Sequence, residues 1–330
     1  QVQDLGAPVW ADYEMDNGWR QQWIAMHFGN HLELNDFGYL SRNSLNYLHW
    51  EVRKRNTDQP EDGRYASTDW RWRVGSTHNN RGDKLNDQFR MSRQGRLRNG
   101  GSEYAQINVN SAGIGDTLLR GNGIVRVPSS FNAVYEYERP RVGDWSHYYG
   151  AEVFSGGLAG NDAIGWAGWV GATYFFSDAL RANASVTAIR RPDWLIWQGS
   201  ARPGLVGAFD GREARLRAGM EWTIDPRQEL RVKLQAIGIG ASAHGAWRFD
   251  PAGRPIAAAD AIEDFNVRTL GFQIRYRYEL APLSYLYVVY ARGGYDRSET
   301  SDGVDDALFD SFRLRDDEQL MVKLSYRFEI

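Results

Sequence analysis

Arginine and lysine recur two residues apart in this chain, at Arg71 and Arg73, Arg96 and Arg98, Arg215 and Arg217, Arg231 and Lys233, and Arg275 and Arg277, with Arg90, Lys323 and Arg327 in similar surroundings. In an extended chain successive side chains point to opposite faces, so a spacing of two puts both cations on one face. A face lined with guanidinium and ammonium groups attracts anions, and the same groups around a channel select them. Glu51, Asp69, Glu136, Glu138, Glu213, Glu221, Glu279 and Glu329 fall on that face too. Two readings stand: an anion-selecting lining, or cross-strand ion pairs that fill an enclosed space. The second is the simpler, because unpaired charge in a confined interior is costly.

Other constellations carry less. The six histidines, His27, His31, His49, His78, His147 and His244, are scattered, and no Ser-His-acid grouping is legible. HExxH and cysteine are both absent, which removes the common zinc signatures, so no catalytic residue, metal or cofactor is expected. Asp302, Asp305, Asp306, Asp310, Asp316, Asp317 and Glu318 are acidic enough for calcium, but their spacing departs from an EF-hand and Leu308, Phe309 and Phe312 interrupt it. A solvated acidic loop is favoured. Gly113, Gly115, Gly121 and Gly123 surround Asp116 without the strand-to-helix context of a phosphate cradle, and read as a flexible loop that folds inward as a constriction.

The elements that carry the cations alternate with a period of two. The last eleven residues, LMVKLSYRFEI, place Leu320, Val322, Leu324, Tyr326, Phe328 and Ile330 on one face and Met321, Lys323, Ser325, Arg327 and Glu329 on the other. Leu270, Phe272, Ile274, Tyr276, Tyr278 and Leu280 oppose Arg275, Arg277 and Glu279 in the same way. Leu216 and its neighbours oppose Arg215 and Arg217, and Leu230, Val232, Leu234 and Ala236 oppose Arg231, Lys233 and Gln235. Leu180 to Ala188 and Phe131 to Tyr137 repeat the pattern. A soluble sandwich would have to solvate every arginine face, whereas a barrel in lipid turns its apolar face outward and keeps a polar lumen. The fold class expected is therefore all-β: a transmembrane, antiparallel, up-and-down β-barrel with no helix of consequence. Leu216, Leu234, Leu270, Phe272, Leu324, Tyr326 and Phe328 are expected to face lipid, and the arginines and lysines above to line the pore.

Composition agrees. The chain has 330 residues, 42% of them hydrophobic, with 13 Trp, 17 Tyr, 14 Phe and 35 Gly, as a tightly turning barrel with aromatic girdles needs. The mean hydropathy of -0.56 and the lack of any apolar run of about 18 residues exclude helical spans. Strands escape that test, because each needs only about 9 to 11 residues, half of them polar. Absence of cysteine suits passage through an oxidising periplasm, and a net charge of -3 gives no reason to expect nucleic acid. Trp194 and Trp197 beside Arg190 and Arg191 could stack sugars or lipopolysaccharide headgroups, with girdle anchoring the favoured role.

Connections alternate in length, as on the two rims of an outer-membrane barrel. Asp16 to Gly18, Asn99 to Ser102, Arg139 to Asp144, Ser177 to Ala179, Asp225 to Gln228 and Ala281 to Ser284 are short and rich in turn residues, while Asn56 to Arg64 on the same rim is longer. Between them fall long loops at Asn30 to Ser44, Gly75 to Asn86, Ser111 to Arg126, Gly156 to Asp162, Gln198 to Arg212, Gly245 to Glu263 and Glu299 to Asp317. About fifteen strands result. If the last ends in the periplasm, the first, Pro8 to Met15, starts outside the cell, and an open edge would face hydrocarbon at several kcal/mol per unpaired group. Residues 1–330 are then one barrel domain lacking its N-terminal strands and a periplasmic module. The expected partners are outer-membrane lipid, lipopolysaccharide and a non-covalent N-terminal barrel fragment or other membrane subunits.

Three stretches, LNDFGYLSRN at Leu34 to Asn43, YELAPLSYLYVVYARG at Tyr278 to Gly293 and the closing LMVKLSYRF, resemble a family of Gram-negative outer-membrane barrels of unknown function. Full-length members of that family carry an N-terminal module similar to family-nine carbohydrate-binding modules. The resemblance implies a bacterial outer-membrane location and a barrel fold, and it carries over no catalytic residue. Two function classes remain: a transport or secretion pore, or scaffold for a translocating partner; and a surface or periplasmic glycan-binding protein in which the barrel is only an anchor.

Overall fold

The structure, a computed structural model, describes residues 4–32, 42–300 and 303–328. Period-two alternation produces strands throughout: β1 (Gly6–Glu14), β2 (Trp19–Phe28), β3 (Leu45–Asn56), β4 (Tyr65–His78), β5 (Lys84–Leu97), β6 (Ser102–Asn110), β7 (Gly113–Gly115), β8 (Val125–Val127) and β9 (Ser130–Val142). Then follow β10 (Trp145–Gly156), β11 (Gly160–Phe175), β12 (Leu180–Trp197), β13 (Val206–Asp225), β14 (Gln228–Phe249), β15 (Pro255–Ala257), β16 (Phe265–Ala281), β17 (Ser284–Ser298), the helix α1 (Val304–Ser311) and β18 (Asp317–Ser325). Sixteen strands form one antiparallel sheet in which each strand pairs with its neighbour in the meander, β15 pairs only with β14, and β7 and β8 form a separate hairpin. Among the described residues no pairing joins β1 to β18, and β18 is exposed along its whole length.

The short connections lie where turn chemistry puts them. Gly18 takes φ +77°, and a Cβ there would stand 2.2 Å from the Arg55 carbonyl oxygen, so only glycine fits between β1 and β3. Pro282 and Leu283 turn the β16–β17 hairpin, with Leu283 at φ +61°.

The opposite end differs from expectation. His78 and Lys84 bound a connection expected to run from Gly75 to Asn86, and β12, β13 and β14 continue for 18, 20 and 22 residues. Alternation persists there with weaker apolar character, so loop-like composition concealed strand. Helix is a minor component of the described residues, as expected. Residues Val304 to Ser311 form α1, with Asp305 and Asp306 in its first turn, where they offset the helix dipole. Its small face packs closely: Ala307 and Ser311 have no exposed surface, and a Cβ on Gly238 would lie 2.4 Å from the Leu308 amide nitrogen.

Candidate functional site

Register turns the alternation into two continuous faces. Trp23, Trp50, Val74, Phe89, Val109 and Phe131 stand side by side across six strands. Tyr149, Val170, Val186, Leu216, Ala236 and Leu270 continue the same face across six more. On the reverse, Glu51, Arg73, Arg90, Asn108 and Asn132 are neighbours, as are Arg181, Glu221, Arg231 and Arg275.

Exposure is inverted relative to a protein folded in water. Along β11, Ile164, Trp166 and Val170 are exposed, whereas Ala163, Gly165, Ala167 and Gly171 are buried. Leu48 is 59% exposed and Val186 47%, while the reverse-face Glu213, Asn108 and Glu229 are 5%, 6% and 9% exposed. The apolar side of the sheet is the outward one, and the polar side is the one that closure of the sheet into a barrel would enclose.

The outward apolar band has limits. On β12 it comprises Leu180, Ala182, Ala184, Val186 and Ala188 before Arg190 interrupts it, and on β13 it runs from Trp222 to Ala214 before Arg212. Nine residues rise roughly 30 Å along a strand, or about 23 Å at a tilt of about 40°. Aromatic pairs cluster towards the short-turn end: Trp145 with Tyr174 at 4.6 Å, Tyr174 with Phe176 at 4.6 Å, Tyr137 with Tyr149 at 5.2 Å and Trp70 with Trp72 at 5.9 Å.

Leu216, Leu234, Phe272 and Leu324 lie on the outward face; Tyr326 and Phe328 follow β18 and pack at 5.0 Å. Leu270 shares the face but is only 6% exposed, so the expectation of an open outward side chain is corrected at this position. The segment that includes α1 and residues 312–316 lies over this region, held by Arg292, which donates to the Phe312 and Leu314 carbonyls at 2.9 and 3.0 Å. Leu34 to Asn43 falls mostly outside the described residues, as do Asp302, Glu329 and Ile330.

The cations on the enclosed face divide into two populations. Arg73 meets Glu51 at 2.6 Å, Arg71 meets Asp69 at 3.3 Å, and Arg53 also grips Asp69. Glu213 binds Arg191 at 2.9 Å and also Arg215; Glu229 binds Arg277 at 3.2 Å and also Arg231. In contrast Arg90, Arg96, Arg217, Lys233, Arg275 and Lys323 share the face without a carboxylate in ion-pair range among the described residues. Arg98 leaves the face altogether: it lies beyond β5 and its guanidinium donates to the Gln59, Pro60 and Gly63 carbonyls, fastening the longer connection on the short-turn rim. Arg327 follows β18, with its backbone N–H on Ser284 Oγ at 3.0 Å.

Sequence reading missed Glu103 and Glu229. Glu103 sits on the outward face between Gly95 and Tyr137, yet its side chain is 2% exposed. Arg64, Arg93 at 3.2 Å, Tyr65 at 2.7 Å and Tyr135 at 3.2 Å enclose it. Arg93 breaks the apolar alternation of β5, and that was the available signal.

The Ser111 to Arg126 loop is anchored at both ends, which corrects its reading as flexible. Asp116 accepts two hydrogen bonds from Arg42, at 2.9 and 2.7 Å, and one from Asn79 at 3.2 Å. Burial pushes the Asp116 carboxyl up, but the Arg42 and Asn79 hydrogen bonds prevail and hold it below its ordinary value of 3.8. At the other end the Arg126 backbone N–H donates to Gly253 at 2.7 Å, and Leu119 and Val125 pack on Val206. The loop thus ties the β2–β3 and β4–β5 connections to the far ends of β13 and β14.

Trp194 and Trp197 enter different surroundings. Trp194 packs at 6.0 Å from Phe265 in a cluster with Phe209 and Ala241, and the Trp197 indole donates to the Pro203 carbonyl at 2.8 Å. Among the described residues no group of three His, Asp or Glu side chains converges as a metal site. His27 contacts Asn46 at 2.7 Å, His49 contacts Tyr47 at 2.8 Å, and His244 stands 3.7 Å from Asp193. No family model matches the chain, and no curated protein matches it.

Proposed function

We propose that this chain forms most of the wall of a bacterial outer-membrane β-barrel that acts as a transport or secretion pore, or as a scaffold for a translocating partner. The observation that carries this reading is the inverted exposure of β11, where Trp166 and Val170 face out and Ala167 and Gly171 are buried. Water would penalise such a surface at about 25 cal/mol per Å² of exposed apolar area, and hydrocarbon would not. An outward band of about 23 Å fits the roughly 25 Å band of barrels in lipid, and the aromatic pairs fit the interfacial girdle. Lipid and lipopolysaccharide are the surroundings this surface suits.

The free edges of β1 and β18 support a further partner. Fifteen strands in one meander give these two the same direction. An odd number of added strands, with the same alternation, would therefore keep every pairing antiparallel and leave no bare edge in hydrocarbon. Such strands belong to another segment or another polypeptide.

Reconstitution of protein extracted from bacterial outer membranes into planar bilayers tests the pore. Arg217, Lys233, Arg275 and Lys323 predict stable conductance with anions preferred over cations. A lumen plugged by the Ser111 to Arg126 loop would favour the alternative, in which the barrel only anchors a glycan-binding surface. Insertion without conductance would select that alternative, and failure to insert would reject both.

A further inference from the structure

A cleft of about 550 Å³ opens on the enclosed face between β12 and β17. Two adjacent cross-strand rows build it. Arg217, Gln235, Gly271 and Gly293 form one; Asn183, Gly219, Lys233, Gln273 and Ala291 form the other. Small residues are therefore interspersed with polar ones across the floor. The side chains of Arg217, Lys233, Asn183, Gln235 and Gln273 make no hydrogen bond or ion pair among the described residues. The neighbouring charges are largely spoken for: Glu221 is bound to Arg181, and Arg231 to Glu229. Asp317 lies at the margin.

Gly271 is the decisive position. A Cβ there would meet nothing within 4 Å, and its φ lies outside the left-handed region. Neither packing nor backbone geometry demands glycine, so its effect is to leave the cleft open. Two cations on a diagonal suit one carboxylate or phosphate, and three primary amides, each both donor and acceptor, suit hydroxyl groups.

We infer that this cleft binds a small hydroxylated organic anion, its carboxylate or phosphate held between Arg217 and Lys233 and its hydroxyls by Asn183, Gln235 and Gln273. The inference rests on the pore reading in taking the enclosed face as the lumen, and it names the class of solute the pore would take.

Calorimetric titration of the detergent-extracted protein with gluconate and with glucose 6-phosphate tests it, glucose serving as the neutral control. Saturable binding of at least one anion is expected, tighter than that of glucose, and the stronger of the two identifies the anionic group. Arg217→Gln and Lys233→Gln should each weaken it about tenfold. Gly271→Leu should abolish it while the heat resistance of the folded protein is unchanged. Binding of neither anion, equal binding of glucose, or indifference to Gly271→Leu would overturn the inference. A preparation that conducts but binds neither anion rejects the cleft and leaves the pore standing. One that binds through Arg217 without conducting supports the cleft and rejects the pore.

Discussion

Trp166 is 45% exposed, and Ala167, the next residue in β11, is 8% exposed. In water the larger apolar side chain belongs inside and the smaller can stay out. The reversal recurs at Val153 and Val186, each exposed between two less exposed neighbours. Its consequences differ sharply between adjacent residues.

Val186 lies in the middle of the outward band, between Val170 and Leu216. Val186→Arg should cost about 2 to 4 kcal/mol in a bilayer, because a cation at that depth is poorly solvated. Thr187→Arg, on the enclosed face, should cost less than about 1 kcal/mol. Urea unfolding from lipid vesicles measures both. Leu270 is a poor choice for this comparison, since the 303–316 segment shields it.

Glu213 holds Arg191 and Arg215 together at 5% exposure. Glu213→Ala leaves two guanidinium groups facing each other. Each arginine is about a third exposed, which screens part of the penalty, so a loss of about 1 to 3 kcal/mol is expected by the same unfolding assay. Glu213→Gln should recover part of it.

Gly18→Ala places a Cβ 2.2 Å from the Arg55 carbonyl oxygen at φ +77°. Strain of about 1 to 3 kcal/mol is expected, read as a fall in the temperature at which the folded band is lost on electrophoresis. An unchanged temperature would show that the first turn contributes nothing to stability.

The Asp116 anchor predicts a pH dependence. Its folded pKa is depressed below 3.8, so the stabilisation is fully present above that value and is lost as pH falls through the folded pKa. Hydrogen exchange of residues 111–126 should therefore be slow near neutrality and accelerate below about pH 4, beyond the intrinsic rate. Asp116→Asn should exchange rapidly at both pH values.

The fold was legible wherever a local rule fixed it. Alternation across Leu216, Leu234 and Phe272 identified the strands and their faces, and Asp16 to Gly18 identified a turn. Strand length was obscured at the other end, because Gln198 to Arg212 and Gly245 to Glu263 mix loop-like residues with continuing alternation. The shielding of Leu270 was not legible, since it depends on α1 folding back over distant strands. Cation spacing placed Arg73 and Arg217 on one face but could not reveal that Glu51 neutralises the first while no carboxylate among the described residues lies in ion-pair range of the second. The cleft around Gly271 likewise exists only through register across five strands.

The central claim, that the outward face meets hydrocarbon and the reverse face water, can be read at two neighbouring residues. The chain has no cysteine, so Val186→Cys and Thr187→Cys each give a unique spin-label site. In reconstituted vesicles, relaxation by molecular oxygen should dominate at position 186 and relaxation by a water-soluble nickel chelate at position 187. The same ranking of the two relaxers at both positions, or the reverse assignment, would contradict the membrane barrel.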